Sequence, residues 1–371
     1  MVRIAILGST GSIGRQALEV VRSLGNRFEV VGLGAGKNLS LLTDQVREFK
    51  PRLVSSEAGQ LPLGDYQSLS LEELASHPEV DLVVVATSGK AGLTPTLAAI
   101  RAGKRIALAN KEVLVMAGEI IVNEARQHNV EIFPIDSEHS ALWQCLQGEE
   151  RGKVARLILT ASGGPFRNHP LEQLARVTPE EALQHPTWQM GEKVTIDSAT
   201  LMNKGMEVIE ARWLFDMPFE NIQVLIHPQS IVHSLVEFVD GSVKAQLSIP
   251  DMRLPIQYAL SYPERLAIQQ FSRIDWGKLG SLTFERPDFN RFPCLKLAVE
   301  AGKKGGTYPA VLCAADEVAV KLFLSHRIGF LDISRVVEET LERHQGISHP
   351  SLEEILTADG WAREQAESWR R

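Results

Sequence analysis

The sequence predicts an α/β protein: a Rossmann-like doubly wound parallel sheet over residues 1–150, a central α+β domain over 151–262, and a helical domain over 289–371 after a linker at 263–288. Three observations support this. Short apolar runs alternate with segments of helical periodicity through the first 150 residues, as parallel strands with crossover helices require. After Gly152 longer strand-like runs appear with a hairpin signal between two of them. Beyond 289 only helical periodicity remains.

In order, "VRIAIL" is an apolar run ending in glycines, followed by the helical pattern Ile13, Ala17, Leu18, Val21 and Leu24, then by "FEVVGLG". Further buried strands are expected at "RLVS", "DLVVVAT", "RIALA" and "VEIFPI", with helices over 93–102 and 112–127 between them. The central part opens with "VARLILTA", passes through a glycine turn and a proline-dotted loop to about 189, and continues as a helix to 215. Strands follow at "IQVLI", "IVHSLVEFV" and "SVKAQLSI", the last two joined by the Asp-Gly turn "VDGS". Residues 263–288 are irregular and rich in Pro, Gly and Arg. Helices are expected over 294–302, 308–324, 333–344 and 352–369.

Composition narrows the function class. A chain of 371 residues with 44% hydrophobic and 23% charged residues is globular, and its net charge of −7 gives no bulk attraction for nucleic acid. Cys145, Cys294 and Cys313 form no paired spacing, which argues against a disulfide framework or a structural zinc. No run approaches the roughly 20 apolar residues of a membrane span, and a strand begins at Val2 without a charged leader. The expected setting is the bacterial cytoplasm, or the plastid stroma for a processed organellar form.

"GSTGSIG" places Gly8, Gly11 and Gly14 between the first strand and the first helix. Glycines there permit a tight turn and close approach of backbone to a pyrophosphate, which the helix N-terminus attracts. The spacing is G-x-x-G-x-x-G. An NAD site expects an acid at the end of the second strand to accept the ribose hydroxyls. Here that strand ends "GLGAGKN", and Lys37 with Asn38 suits a 2′-phosphate, favouring NADP; a solvated turn lysine is the plainer alternative.

"FPIDSEHSALW" sets Asp136 and Glu138 two residues apart after a strand, and in an extended segment such residues face one side. Two oxygen donors suit Mg²⁺ or Mn²⁺ better than zinc, although a helix cap near Ser140 explains one of them equally well. On the helix near 203–215, Asn203, Lys204 and Glu207 share a face, with Asp197 and Ser198 at its approach. A third carboxylate there would complete a metal site; a surface Lys204/Glu207 pair is the alternative. "TASGGPF" offers Ser162 and a glycine turn to an anion, or simply a turn needed by the fold. "NKE" puts Lys111 at the strand end where such sheets bind ligands, or at a helix start.

Together "GSTGSIG", "LANKE", "DSEHSA", "SGGPF", "HPTWQMGEKVTIDSATLMNKGMEVIEA", "HPQSIVHSLVEFVDGS" and "PDMRLPIQYAL" strongly resemble the 1-deoxy-D-xylulose 5-phosphate reductoisomerase family, from Met1 through the helical tail. The resemblance implies an NADPH- and divalent-metal-dependent (Mg²⁺, Mn²⁺ or Co²⁺) homodimeric enzyme of isoprenoid precursor synthesis. It makes Asp136, Glu138 and Glu207 metal ligands and Lys111 a candidate for proton movement. Ser162, Ser198, Asn203, Lys204 and His185 would hold the substrate phosphate; Ser137, Lys111, Glu138 and Glu207 would meet the reacting polyol. His185, Trp188 and Met190 would lie on a flexible flap over the substrate. Thr10, Gly11, Ser12, Ile13, Gly36, Lys37, Asn38, Asn110, Glu112 and Gly191 would contact NADPH.

Two other readings stand beside it. One is a different NADPH-dependent dehydrogenase using a cysteine nucleophile, for which Cys145 in "ALWQCLQ" is the nearest candidate. The other is an NADPH-sensing regulatory protein, which would have no need of the acidic residues.

Overall fold

The computed structural model describes residues 1–59, 61, 65–185, 187–188, 190–268 and 271–370. In chain order its strands and helices are β1 (Val2–Leu7), α1 (Ser12–Leu24), β2 (Phe28–Ala35), α2 (Leu39–Phe49), β3 (Leu53–Ser56), β4 (Gln67–Ser68), α3 (Leu71–Ser76), β5 (Leu82–Val85), α4 (Leu93–Arg101), β6 (Arg105–Leu108), α5 (Glu112–Gln127), β7 (Ile132–Pro134) and α6 (Ser137–Cys145). They continue with β8 (Val154–Ala161), α7 (Leu171–Leu174), α8 (Pro179–Ala182), α9 (Glu192–Thr200), α10 (Met202–Phe215), β9 (Ile222–Ile226), β10 (Val232–Phe238), β11 (Val243–Leu247) and α11 (Arg253–Ser261). The last four helices are α12 (Pro293–Lys304), α13 (Tyr308–Leu324), α14 (Asp332–Arg343) and α15 (Leu352–Glu367).

The chain forms two compact units, the first made of residues 1–113, 121–140 and 251–272, the second of 114–120, 141–250 and 273–371. In the first, seven parallel strands are ordered β4-β3-β2-β1-β5-β6-β7. The order reverses at β1, between β2 and β5, which is where a doubly wound sheet opens a crevice at its carboxyl edge. β1 and β5 are buried almost throughout, so their continuous Val, Ile and Leu runs serve two covered faces.

The second unit contains a four-stranded mixed sheet, β11-β10-β8-β9, with β8 parallel to β9 and antiparallel to β10. Leu157, Leu159, Val208, Ala211, Val236 and Phe238 meet in one core, which fixes α10 against this sheet. The single helix expected up to 215 is in fact two. Leu201, with φ +62°, ends α9 and begins α10, turning the chain without any intervening loop. Leucine is an uncommon occupant of left-handed backbone, and its side chain, 3% exposed, is anchored in the interior.

The proline-dotted segment before 189 contains the short helices α7 and α8; Thr178 caps α8 through a reciprocal bond with Glu181, and Pro179 occupies its first turn. Positions 186 and 189 of the "HPTWQMG" run lie outside the described residues. Among the described residues, no helix is long and apolar enough to cross a membrane.

Candidate active site

The β1–α1 turn is built on close approach. Gly8 has φ +86°, and a Cβ on it would fall 2.4 Å from the Ala86 carbonyl oxygen of the neighbouring strand end. A Cβ on Gly14 would lie 2.2 Å from the Gly8 carbonyl oxygen, so α1 packs against the turn only because that residue has no side chain. The amides of Gly8 and Ser9 both donate to the Gly34 carbonyl, and Ser9 Oγ donates to Gln45 Oε1. Gly11 caps α1 without a side-chain bond, which leaves the first-turn amides around Ser12 and Ile13, just beyond Thr10, available to an anion.

At the end of β2, Gly36 is followed by exposed Lys37 and Asn38. Asn38 caps α2, its Oδ1 accepting from the Leu41 amide at 3.1 Å. Asn110, 2% exposed, uses its Nδ2 to hold the strand-end loop at Thr87 Oγ1 (3.2 Å) and Gly89 O (2.9 Å). Glu112 stands in the first turn of α5 and is half-buried.

The expectation that Asp136 and Glu138 share one side of an extended segment is corrected by the structure. Helix α6 begins at Ser137, and the Ser140 amide already donates to the Asp136 carbonyl at 2.8 Å. Asp136 is therefore the residue before a helix and Glu138 lies in its first turn, where backbone curvature rather than strand alternation orients them. Lys111 Nζ donates to Asp136 Oδ2 at 2.5 Å, with both side chains about an eighth exposed (12% and 13%). Ser137 Oγ donates to Glu138 Oε2 at 2.6 Å. A residue the sequence reading did not single out is His139: fully buried, its Nδ1 sits 4.0 Å from Asp136 Oδ2. Its signal in the sequence was its place inside "DSEHSA".

In the second unit Glu207 is 1% exposed, and its neighbours are cationic and amide donors. Lys204 Nζ donates to Oε2 at 2.5 Å and Asn203 Nδ2 to Oε1 at 2.6 Å. Lys204 is itself only 4% exposed, so the pair is no surface decoration. Burying an ion pair is costly unless both charges are well coordinated, and such arrangements cluster at functional sites.

Ser162, His185 and Ser198 also converge: His185 Nε2 lies 3.0 Å from Ser162 Oγ and 3.1 Å from Ser198 Oγ. Which partner donates depends on the tautomer. His185 Nδ1 accepts from the amides of Thr187 and Trp188 at 3.1 and 2.9 Å, which places the proton on Nε2 for the neutral ring. Burial lowers the His185 pKa, favouring that neutral form. The turn beneath is glycine-dependent: Gly163 and Gly164 have φ +83° and +67°, and a Cβ on Gly164 would sit 2.7 Å from Ser198 O. The Gly164 amide donates to Ser162 Oγ at 3.2 Å. Trp188 is half-buried, with its ring centroid 6.2 Å from that of His233. Met190 is half-buried, and Gly191 is the exposed cap of α9.

Cys145 is 6% exposed, and burial pushes its thiol up to about 11, so it is not an activated nucleophile. None of the three cysteines forms a disulfide, and all three are buried.

Residues 4–118 match the family model described as 1-deoxy-D-xylulose 5-phosphate reductoisomerase, 132–215 match that enzyme's C-terminal domain, and 247–365 match the DXP reductoisomerase C-terminal domain. The chain is 57% identical over 377 aligned residues to 1-deoxy-D-xylulose 5-phosphate reductoisomerase of Pelotomaculum thermopropionicum, covering 98% of this chain and 97% of that one. It is 58% identical to the corresponding protein of Heliobacterium modesticaldum, with 97% and 95% covered. Among solved structures, the Zymomonas mobilis enzyme in complex with NADPH superimposes with a TM-score of 0.91 at 43% identity, covering 99% of this chain and 98% of that one. A DOX-P reductoisomerase in complex with NADPH, fosmidomycin and magnesium also gives 0.91, at 42% identity, with 99% and 97% covered. The glycine turn, the lysine-paired carboxylates and these full-length matches agree: the chain belongs to the 1-deoxy-D-xylulose 5-phosphate reductoisomerase family.

Proposed function

We propose that this chain converts 1-deoxy-D-xylulose 5-phosphate to 2-C-methyl-D-erythritol 4-phosphate, using NADPH and a divalent cation, with the residue roles that follow. The observation that carries the assignment is the buried Glu207 carboxylate with Lys204 and Asn203 on it, a charged group that no packing requirement explains. The residues fit both ligands. Gly8 and Gly14 sit where side chains would collide with backbone, and the uncapped start of α1 is suited to a pyrophosphate. Asp136, Glu138 and Glu207 would offer oxygen donors alone, as suits a hard cation. Lysines balance Asp136 and Glu207 in the free protein.

Asp136, Glu138 and Glu207 would hold Mg²⁺, Mn²⁺ or Co²⁺, which when bound stabilises negative charge developing on the substrate oxygens as the C3–C4 bond breaks and the fragments rejoin. NADPH supplies the hydride that reduces the resulting branched aldehyde. Lys111 is held beside Asp136 and would exchange a proton with a substrate hydroxyl, while the Ser137 hydroxyl orients the polyol. Ser162, His185, Ser198, Asn203 and Lys204 would take the phosphate. The neutral His185 Nε2–H donates there, and Lys204 supplies the charge. Trp188 and Met190 would close over the substrate and exclude water, so that phosphate binding energy holds the cleaved fragments in place. Thr10, Gly11, Ser12, Ile13, Gly36, Lys37, Asn38, Asn110, Glu112 and Gly191 would form the NADPH site, with Lys37 meeting the 2′-phosphate.

The same reading assigns NADPH binding to residues 1–150, catalysis and dimerisation to 151–262, a linker to 263–288 and a helical domain to 289–371. A homodimer is supported by β11, an edge strand whose residues 243–245 are exposed, with Val243 in it 49% exposed and Val239 before it 65% exposed. A cytoplasmic location fits the bacterial relatives and three cysteines that form no disulfide.

The test is NADPH oxidation with 1-deoxy-D-xylulose 5-phosphate after chelator treatment, with and without added Mg²⁺ or Mn²⁺. Metal-dependent oxidation yielding the branched polyol phosphate is expected. A folded, NADPH-binding protein with no turnover under any metal would reject the assignment.

A further inference from the structure

Ser198 sits near the end of α9, and the opposite side of that helix meets a buried charge cluster. Asp197, 2% exposed, and Asp316 of α13, 0% exposed, face the same ammonium. Lys193 Nζ lies 2.5 Å from Asp197 Oδ2 and 2.9 Å from Asp316 Oδ2. Burial, then the neighbouring Asp316 charge, holds the Asp197 carboxyl well above the usual range. The Cys294 thiol of α12 is pushed up by burial and by the same two carboxyls.

Two bare carboxylates with one ammonium would leave a buried net charge, which proteins avoid by retaining a proton. One shared proton makes the group neutral: one carboxylate, one carboxylic acid, one ammonium. Asp197 Oδ1 and both Asp316 oxygens have no hydrogen-bond partner among the described residues, and a retained proton would serve one of them. The cluster is thus a neutral clamp between α9 and α13, built from polar groups in a place where leucines would pack at lower cost.

We propose that Asp316 is a positioning residue for the substrate phosphate: through Asp197 and Lys193 it ties α9 to α13 and so fixes the Ser198 hydroxyl that meets His185. Asp197 is the residue immediately before Ser198, so a shift at the carboxyl pair reaches the hydroxyl through a single peptide unit. The inference rests on the assignment of Ser198 to the phosphate.

The test compares Asp316→Ala, Asp316→Asn and Ser198→Ala in the full-length enzyme, measuring kcat and the KM of each substrate. Asp316→Ala removes the tether but leaves Lys193 and Asp197 as a complete pair. It is expected to raise the KM for the sugar phosphate about tenfold, with kcat and the KM for NADPH within about twofold. Asp316→Asn, whose amide donates to Asp197 and whose carbonyl accepts from Lys193, should restore wild-type KM. If Ser198→Ala raises the sugar phosphate KM and Asp316→Ala does not, the positioning role is wrong. An equal rise for both substrates, or Asn no better than Ala, also overturns it. If Ser198→Ala itself leaves KM unchanged, the phosphate assignment fails instead. Should Asp316→Ala not fold, Lys193→Gln takes its place, with the same KM rise expected and its absence refuting the clamp.

Discussion

Replacing Glu207 by Gln separates what the carboxylate does for the fold from what it does for turnover. In the free protein both its oxygens are engaged, Oε1 by Asn203 and Oε2 by Lys204, inside a site where Lys204 is 4% and Glu207 1% exposed. Gln keeps the shape and one acceptor oxygen but withdraws the negative charge that faces Lys204. Breaking a buried pair from one side costs about 3–5 kcal/mol, and the retained carbonyl brings the expected loss to roughly 2–3 kcal/mol. At about 2–4 °C per kcal/mol this lowers the melting temperature of the metal-free enzyme by roughly 4–12 °C. Catalysis should suffer more, because a third of the charged donor set is gone: about a thousandfold in turnover, on the order of 4 kcal/mol. NADPH affinity should stay within about twofold, since the glycine turn is remote in sequence and built on backbone. The assays are thermal melting without metal, NADPH titration, and NADPH oxidation across a metal series. Turnover within tenfold of the parent, with unchanged metal dependence, would refute the ligand assignment. Joint loss of NADPH binding and turnover would point to a folding defect.

The remaining predictions concern neighbouring groups. Lys204→Ala should raise the KM for the sugar phosphate by roughly ten- to a hundredfold, as expected for one charge-assisted hydrogen bond; an unchanged KM would remove its role. Lys37→Ala should raise the KM for NADPH roughly tenfold at this exposed position while leaving weak NADH use unaltered, and an equal effect on both cofactors would show that Lys37 does not read the 2′-phosphate. Alkylation at pH 8 should leave activity intact, because a Cys145 thiol held up to about 11 by burial is almost entirely protonated there; inactivation tracking Cys145 modification would revive a cysteine nucleophile. His185 has a pKa lowered from 6.5 by burial, so the unfolded chain takes up this proton first. Its stabilising contribution is present above 6.5 and is lost as pH falls through the folded value, and His185→Gln should remove that part of the acid-side decline in denaturant melts.

Much of the first unit could be read from periodicity alone, because β1, β2 and β5 are mostly buried and their sequences are correspondingly apolar. The glycine turn was legible for the same kind of reason: a steric demand at Gly8 and Gly14 leaves only one residue type. Asp136 and Glu138 were read as the end of an extended segment, whereas the chain there is already entering α6. The stretch "DSEHSA" is equally acceptable as a strand end or a helix start, and the tertiary context selects the helix. The break at Leu201 was invisible, since a leucine in left-handed backbone carries none of the glycine or proline signal that usually marks such corners. The convergence of His185 with Ser162 and Ser198 could not be derived from spacing, as the three residues come from a glycine turn, a loop and a helix. Family resemblance supplied that grouping. Asp316 gave no signal because "CAADEVAV" reads as an ordinary helix; only the structure reveals a buried carboxyl that shares the Lys193 ammonium with Asp197.

The corner at Leu201 has a consequence for how this enzyme can change length. An inserted or deleted residue turns the following part of a helix by about 100°, and between Ser198 and Lys204 there is no loop to absorb it. Such a change would swing Asn203, Lys204 and Glu207 together away from their present direction, removing three side chains at once by altering none of them. The exposed stretch around Gly277, Lys278 and Gly280 imposes no such constraint. A library of single-residue insertions would thus divide the chain into a segment where register is everything and one where it hardly matters, a boundary that substitution scanning cannot see.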